Sequence, residues 1–273
     1  MSNLRLIDNH SHTKYSPDSE ATVLAMCQRA AELGLLAYTI TDHCECEAYT
    51  EDKFDVNIPL SVEETLKCRR LLGDSDTKIL TGVEVGQALQ NLPAAEEVVG
   101  KEYDFVIGSL HHIRTLPDFY FVDYTPYSMD ELDGFLEDYY QEIYHMVLWG
   151  KFDTLAHLTY PLRYMVGEYG IPVDVKKQDD TIREILKELA RRDIALEINT
   201  SGLRQKIGTL LPDSYYLKMF HDLGGKYITL GADAHRPEDI AKGIAEGMAA
   251  AADAGFSKVV YFEKRKPVAV ELW

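Results

Sequence analysis

Apolar runs of strand length alternate with amphipathic segments of helical periodicity over almost the whole chain. The apolar runs predict strands at residues 4–9, 36–41, 78–85, 104–108, 153–157, 194–199 and 226–231, with a last short strand near 258–262. The amphipathic segments predict helices at residues 19–33, 61–72, from about Pro93 onward, 129–149, 180–192, 213–223 and 237–254. Residues 158–178 follow neither pattern and predict a long aromatic loop.

Several predicted helix ends carry local sequence signals. Residues 61–64 and 128–131 both have the Ser-x-x-Glu pattern of a capping box, which predicts that a helix begins at each of them. Gly34, Gly73 and Gly150 follow predicted helices, at the position where glycine commonly ends a helix.

The regular alternation of strands and helices favours one domain over residues 1–273, either an α/β barrel or a doubly wound sheet. We see no linker, repeat or low-complexity segment. Candidate metal ligands lie at the ends of predicted strands one to five and seven. An open sheet would hold its outer strand ends far apart, whereas a barrel delivers every strand end to one face. The barrel is therefore the preferred prediction.

Imidazole and carboxylate groups dominate these strand ends. Six of the nine histidines lie there, namely His10, His12, His43, His111, His157 and His235. Asp42, Glu84 and Asp233 occupy matching positions. A single histidine is usually an ordinary hydrogen-bonded residue, but so many at strand ends predict one polynuclear metal centre, because these groups are the usual ligands of zinc, manganese and iron. Such a centre indicates a hydrolase.

Composition limits the class of binding partner and the expected cellular compartment. The formal net charge of −17 argues against nucleic acid as a partner, although bound cations would let a small phosphorylated substrate approach. No apolar run reaches the roughly 18 residues of a membrane span, and the polar start does not resemble a signal peptide. The four cysteines do not indicate a disulfide framework, so we expect a cytoplasmic, reduced protein.

Short motifs resemble, in the right order, those of the PHP family, the polymerase and histidinol phosphatase domain. They are His10-Ser-His12, Thr41-Asp42-His43, Glu84, Gly108-Ser-Leu-His111, His157 and Asp233-Ala-His235. The resemblance extends from residue 8 to residue 235. The chain length, the long segment after strand four and the run from Asn199 to Arg204 are similar to the stand-alone histidinol-phosphate phosphatases of that family.

The resemblance implies a distorted (β/α)7 TIM-like barrel, of the α/β class, holding two to three divalent ions of manganese, zinc, iron or cobalt. The first ion would be bound by His10, His12, Glu84 and Asp233. The second would be bound by Glu84, His111 and His157. The third would be bound by His43 and His235, with Asp18 in place of a histidine that some relatives carry. Asp42 would orient His43 or a metal-bound water.

The implied reaction is hydrolysis of L-histidinol phosphate in histidine biosynthesis. Arg163 and Arg204 follow strands five and six, and their guanidinium groups suit phosphate oxygens. Arg236 is a weaker third candidate. Asp233 is the candidate proton acceptor and His235 the candidate proton donor. For the cationic end of the substrate, the sequence leaves Glu45, Tyr49, Asp52 and Tyr160 open.

Three alternatives stay open from the sequence alone. A PHP phosphoesterase would act on nucleotides, oligonucleotides or phosphotyrosine through a basic or stacking groove. A non-catalytic, metal-stabilised binding module resembles the degenerate PHP domains attached to polymerases, although here the ligand set is complete. An amidohydrolase-type enzyme would also use metals at barrel strand ends, but two arginines suit phosphate better than an amide. The sequence does not fix the metal or the oligomeric state.

Overall fold

The computed structural model describes residues 5–272. Within this range the central sheet has eight strands: β1 (Ile7–Asp8), β2 (Ala37–Ile40), β3 (His43–Glu45), β4 (Lys78–Gly86), β5 (Phe105–Ser109), β6 (Thr154–Leu155), β7 (Ala195–Asn199) and β8 (Ile228–Gly231). Seven of them pair in parallel in the order β1-β2-β4-β5-β6-β7-β8, and the short β3 also pairs with β4.

The sheet nearly closes between β8 and β1. Asn9 N donates to the Leu230 carbonyl at 2.9 Å, and His12 N donates to the Ala234 carbonyl at 2.8 Å. Ser11 and Ala234 form an isolated parallel bridge. These contacts lie at and beyond the ends of the two strands, so they bring the first and last candidate ligand motifs together. The predicted seven-stranded TIM-like barrel is confirmed.

Helices surround the barrel: α1 (Val23–Glu32), α2 (Phe54–Leu71), α3 (Leu92–Val99), α4 (Met129–Trp149), α5 (Asp179–Arg192), α6 (Ser214–Asp222) and α7 (Ile244–Asp253). Each buries one face, which is apolar in most of them. In α5 the buried residues are Ile182, Ile185, Leu186 and Leu189, a spacing of three and four residues that lies on one helix face. The main core therefore lies between the sheet and the helices. No helix in residues 5–272 is long and apolar enough to cross a bilayer.

The capping-box prediction is right for α4 and wrong for α2. In α4 the Ser128 hydroxyl and the Glu131 carboxylate bond to each other's backbone N–H groups. In α2 the helix instead begins at Phe54 and continues through Pro59. Ser61 is buried and donates its hydroxyl to Asp42 Oδ2 at 2.5 Å. The side chain that would cap a helix is therefore used to anchor a carboxylate of the site.

Two predicted helices begin later than their sequence suggests. Helix α1 begins after Thr22, whose hydroxyl accepts from Ala25 N at 3.2 Å. Ser19, the predicted start, donates instead to the carbonyl of His235 at 2.8 Å. Helix α7 begins after Gly243, which has φ +78°, so the chain turns there before the helix starts.

A hairpin packs against the other end of the barrel. It consists of β9 (Lys258–Glu263) and β10 (Lys266–Glu271), which pair antiparallel. The sequence predicted β9 but missed β10. Phe262 of β9 stacks on Phe105, the first residue of β5, with ring centroids 5.1 Å apart. The hairpin therefore covers the end of the barrel from which β5 starts, and the opposite face remains for the site.

The predicted loop at 158–178 is largely irregular, as expected. It contains a π-helical turn at Arg163–Glu168 and a short 3₁₀ turn at Val175–Gln178. The π-helical turn begins at Arg163, one of the two arginines predicted to bind phosphate.

Candidate metal centre and cavity

Glu84 lies at the middle of the site. It is fully buried in β4, and the parallel register pairs it with His43 of β3. Its Oε2 atom is 3.1 Å from His10 Nε2, 3.0 Å from His43 Nδ1 and 3.5 Å from His12 Nε2. One carboxylate oxygen thus faces three imidazoles that come from two different strand ends.

The other oxygen of Glu84 faces a second group. Glu84 Oε1 is 3.1 Å from His157 Nε2 and 3.2 Å from His111 Nε2. The two imidazole nitrogens are themselves 3.4 Å apart. Glu45 Oε1 is 2.9 Å from the remaining nitrogen of His111 and 3.3 Å from His43 Nδ1. Glu84 therefore has the position that a ligand bridging two ions requires.

Asp233 closes the first group from the opposite side. Its Oδ1 atom is 3.3 Å from His12 Nε2 and 3.8 Å from His10 Nε2. Asp233 has φ +53°, and His157 has φ +21°, both in a region that non-glycine residues rarely adopt. Such strain persists where the surrounding structure enforces it, and it is concentrated at functional sites.

A third group forms around Asp18. Its Oδ2 atom is 2.8 Å from His235 Nε2 and 3.6 Å from His43 Nε2. The His12 ring lies between those of His43 and His235, with centroid distances of 4.1 and 4.3 Å. The structure thus brings Asp18 beside the two histidines with which the sequence grouped it.

Close packing of these groups shifts their pKa values strongly. Burial, followed by the nearby His43 and His235, lowers the pKa of His12 to about 3. Burial alone would raise the pKa of Glu84, but contacts with the surrounding histidines hold it well below its usual value. Burial opposes protonation of His111, yet Glu45 and Glu84 raise its pKa to about 10. The carboxylates therefore favour positive charge in this centre, as protons or as metal ions.

The donor set fits divalent metal ions. Four groups have ligand atoms within 4.8 Å of one another: His12, His43 and His235; His10, His12 and Asp233; His10, Glu84 and His157; His43, Glu45 and His111. Three buried imidazole nitrogens make no hydrogen bond of good geometry within residues 5–272, namely His12 Nε2, His43 Nδ1 and His157 Nδ1, although carboxylate oxygens lie near the first two. Buried polar atoms are normally paired. Nitrogen and carboxylate oxygen at these positions match the preferences of zinc, manganese and iron.

Glu197 supports the centre, and sequence reasoning missed it. Its Oε1 atom is 2.6 Å from His10 Nδ1, while its Oε2 atom accepts from His157 N at 2.9 Å. Metal-binding histidines commonly use their second nitrogen in this way. The available signal was a lone carboxylate inside the apolar run 194–198.

Asp42 acts through Ser16 rather than directly on His43. It is fully buried, and its Oδ1 atom accepts from the Ser16 hydroxyl at 2.8 Å and from Thr13 N at 2.5 Å. Ser16 Oγ in turn accepts from His43 N at 3.0 Å and lies 3.2 Å from His12 Nδ1. Asp42 therefore fixes the loop that carries His12.

A cavity of about 630 Å³ opens over the metal centre. Arg163 lines it, with Nη2 donating to Ser201 Oγ at 2.7 Å and to Asp233 Oδ2 at 3.1 Å. The buried Nε atom of Arg163 has no hydrogen bond within the described chain. Its guanidinium carbon is 5.0 Å from the centre of the Tyr160 ring. A buried cation is thus held beside a candidate ligand.

Arg204 has a different position. Its Nη2 atom donates to the Ala232 carbonyl at 2.8 Å and to the Asp233 carbonyl at 3.4 Å. These bonds hold the turn that carries Asp233. Arg204 does not line the cavity. Arg236 is 71% exposed and pairs with Asp239 instead of facing the centre. The three arginines that the sequence grouped are therefore separated by the structure.

Comparison with known proteins identifies the family. Residues 8–201 match the PHP domain. The chain belongs to this family. A probable histidinol-phosphatase of Thermotoga maritima is 32% identical over 244 residues, covering 89% of this chain and 90% of that protein. A probable histidinol-phosphatase of Clostridium acetobutylicum is 29% identical over 264 residues, covering 95% of this chain and 98% of that protein.

A solved structure has the same fold. The histidinol phosphate phosphatase of Lactococcus lactis, complexed with zinc, L-histidinol and phosphate, superposes on this PHP domain with a TM-score of 0.80. The match has 25% sequence identity and covers 97% of this chain and 100% of that chain. The family resemblance drawn from the motifs is confirmed.

The part of the cavity lining that lies outside the candidate metal ligands, here called the outer wall, differs in part from expectation. Of the four residues considered for the cationic end of the substrate, Asp52 and Tyr160 line the cavity. Tyr49 instead donates to Glu97 at 2.9 Å. Glu45 lines the cavity as well, but it belongs to the metal centre.

Four further polar residues line this wall, namely Glu47, Gln87, His112 and Asp118. The sequence predicted that His112 points either to substrate or to solvent, and sequence reasoning missed the other three. They lie on segments that follow β3, β4 and β5. Nothing in their spacing along the chain identifies them as neighbours, because only the barrel brings these segments together.

Proposed function

We propose that this PHP domain is a metal-dependent phosphomonoesterase that hydrolyses L-histidinol phosphate to L-histidinol and phosphate, a step of histidine biosynthesis. The observation that carries the proposal is the cavity itself. It joins a buried centre of imidazoles and carboxylates to a buried arginine, Arg163, and to an acidic outer wall. The names of the relatives and the ligands of the Lactococcus lactis enzyme support the same function.

The proposed cofactor is two to three divalent ions, with zinc, manganese, iron and cobalt all compatible with the donors. We assign three ligand sets, following the predicted grouping: His10, His12, Glu84 and Asp233; Glu84, His111 and His157; His43, His235 and Asp18. Bound ions would supply an acidified water and neutralise phosphate charge. Glu45 joins this centre as a further candidate ligand, because it lies within 3.3 Å of both His43 and His111.

Arg163 is the proposed contact to the phosphate. Its guanidinium is held by Ser201 and Asp233, and its buried Nε–H has no partner among residues 5–272. A planar, permanently charged donor of this kind suits phosphate oxygens. Arg204 remains the proposed second contact to the phosphate although it does not line the cavity, because its buried Nη1 atom has no hydrogen bond within residues 5–272.

Asp233 and His235 are the proposed proton-transfer residues, in addition to being candidate ligands. Both line the cavity. Asp233 Oδ1 is 3.7 Å from His235 Nδ1, so the two side chains lie side by side. We assign proton uptake from the attacking water to Asp233 and proton donation to the leaving alkoxide to His235.

The outer wall suits a cationic alcohol. Glu47, Asp52 and Asp118 line it, and their negative charge would attract the ammonium and imidazole of histidinol. A chain with net charge −17 does not favour a polynucleotide. A cytoplasmic location and the lack of a nucleic-acid partner are part of the proposal.

The test is phosphate release from a panel of phosphomonoesters, measured on protein of known metal content. Histidinol phosphate should have a higher kcat/KM than p-nitrophenyl phosphate, phosphotyrosine or nucleoside monophosphates, because its cationic end adds binding energy away from the phosphorus. A preference for nucleotides or phosphotyrosine would support the alternative phosphoesterase. A metal-loaded protein that releases no phosphate from any of them would be a binding module or would hydrolyse other bonds.

A further inference from the structure

Gln87 stands out in the cavity wall because it is buried but not paired. Its side chain lines the cavity, and the residue is only 1% exposed. Its Oε1 atom is buried and has no hydrogen bond within residues 5–272. A buried amide oxygen without a partner is unfavourable, because the hydrogen bonds that it made to water are lost and not replaced. Such an atom therefore calls for an explanation, and a ligand donor in the cavity provides one.

The backbone of Gln87 is also held in an unfavourable conformation. Its φ of +47° lies in the left-handed region that glycine and asparagine occupy more readily than glutamine. Two backbone hydrogen bonds fix it, from Gln87 N to Ser109 O at 3.2 Å and from Gln90 N to Gln87 O at 2.8 Å. The residue directly follows β4, three positions after Glu84. The fold therefore aims this amide from a rigid turn beside the metal centre.

Two other polar residues of the wall are hydrogen-bonded. His112 Nε2 is 2.9 Å from Glu47 Oε1, and its Nδ1 atom is 3.2 Å from the Leu116 carbonyl. Asp118 Oδ1 accepts from the hydroxyl of Tyr160 at 3.1 Å. Gln87, in contrast, makes no side-chain hydrogen bond in the described chain. Glu47 Oε2 is also buried without a hydrogen bond within residues 5–272, but it belongs to a carboxylate, whereas Gln87 offers an uncharged amide oxygen that suits an N–H donor.

We propose that Gln87 is a specificity-determining residue, whose amide accepts a hydrogen bond from a nitrogen-bound hydrogen on the organic part of the substrate. This rests on the proposed function, in which the ammonium and imidazole of histidinol phosphate supply such hydrogens. A site with a buried acceptor rejects phosphate esters that lack a donor, because the acceptor then stays unpaired in the complex. The residue contributes to substrate choice and not to chemistry at phosphorus.

The experiment compares two substrates across matched variants. Histidinol phosphate carries N–H donors, and p-nitrophenyl phosphate carries none. Gln87→Met keeps the length of the side chain without its acceptor. Gln87→Asn suits the left-handed backbone but withdraws the amide by one methylene. Gln90→Met removes an amide from the same turn at a residue outside the cavity and serves as the control. Metal content and Tm are measured on every protein.

Both Gln87 variants should lose about 10- to 100-fold in kcat/KM for histidinol phosphate and keep the parental value for p-nitrophenyl phosphate. The control should keep the parent's ratio of the two substrates. If Gln87→Met folds poorly, Gln87→Asn alone decides the question.

Two results would overturn the assignment of Gln87. One is an unchanged preference for histidinol phosphate, and the other is an equal loss on both substrates, which would indicate a structural role. If the parent itself shows no preference for histidinol phosphate, the proposed function fails, and the role of Gln87 in selecting that substrate fails with it. The parent's own substrate ratio therefore distinguishes the two failures.

Discussion

At the scale of single residues, Glu84 has the largest influence on the site. It lies within 3.5 Å of five imidazoles, and each oxygen faces its own group. Its negative charge holds two of these groups together while fully removed from water. Its removal should therefore affect more than one metal site at once.

We expect Glu84→Gln to lower metal content and to reduce kcat substantially. The amide keeps the shape but removes the charge that balances the cations. The loss should be at least the roughly 10- to 100-fold that is typical when groups outside the ligand shell are changed. Elemental analysis and phosphatase kinetics check this, with the exposed Glu137→Gln of α4 as the control. Normal metal content together with normal turnover would show that Glu84 is not a bridge.

Arg163→Ala should raise KM, lower kcat/KM or both, while metal content and fold persist. Loss of one charge-assisted contact corresponds to about 10- to 100-fold in kcat/KM. Arg163→Lys should recover little, because an ammonium lacks the planar fork. Inorganic phosphate should inhibit both variants less than the parent. Parental kinetics with parental phosphate inhibition would contradict the contact, and the exposed Arg236→Ala is the matched control.

Arg204→Ala gives a sharper comparison because Arg204 donates to the backbone that carries Asp233. If Arg204 contacts phosphate, as its place after strand six predicts, this variant should also show weaker phosphate inhibition at unchanged metal content. Loss of metal content instead would indicate that Arg204 only positions Asp233.

At the scale of elements, one carboxylate outside the site joins three of them. Asp104, just before β5, accepts from Thr81 N of β4 at 3.0 Å and from Lys264 N in the turn of the β9–β10 hairpin at 3.1 Å. It also pairs with Arg69 of α2. Burial tends to raise the pKa of Asp104, but these donors hold it below its usual value. Asp104 is thus one of the side chains that fasten the hairpin to the barrel.

Asp104→Asn should lower the free energy of unfolding by about 1–3 kcal/mol at pH 7, because an amide NH2 would face donors. Because the pKa of Asp104 is lower in the folded state than in the unfolded state, where it is about 4, the ionised carboxylate stabilises the fold above that pH. This contribution to the free energy of unfolding is lost as the pH falls below it. The difference between variant and parent should therefore persist down to about pH 4 and shrink as the pH falls further, toward the lower folded-state pKa of Asp104. Urea unfolding at several pH values checks this, with the exposed Asp74→Asn as control. A difference independent of pH would contradict the ionic role of Asp104.

At the scale of the whole molecule, the fold gathers negative charge. The chain has a formal net charge of −17, and several carboxylates lie buried at one end of the barrel, among them Asp42, Glu84 and Glu197. Divalent ions that bind the folded chain and not the unfolded one would stabilise it by mass action. Metal binding should therefore appear in stability as well as in activity.

Chelation should abolish phosphatase activity and lower Tm, and manganese or zinc should restore both. An ion present at about 100 times its Kd contributes about 2.7 kcal/mol, or roughly 5–10 °C in a chain of this size. Elemental analysis of the active protein should find between two and three metals per chain. Full activity in rigorously metal-free protein would contradict the proposed mechanism.

From the sequence alone we could predict the order of strands and helices, the barrel and nearly all the central histidines and carboxylates. These follow from local properties. Apolar runs and helical periodicity are visible along the chain, and the residue at the end of each parallel strand must reach the same face. His10, Glu84, His157 and Asp233 could thus be grouped although long stretches of chain separate them.

The folded structure was needed to establish which side chains support that centre and which line the cavity. Glu197 meets His10 across 187 positions, and Ser61 meets Asp42 instead of capping α2. Arg163 enters the cavity while Arg204 turns to the backbone. In each case the direction of a side chain depends on partners from distant segments. The periodicity of the sequence does not indicate those partners, because it shows only which face of its own helix or strand a residue occupies.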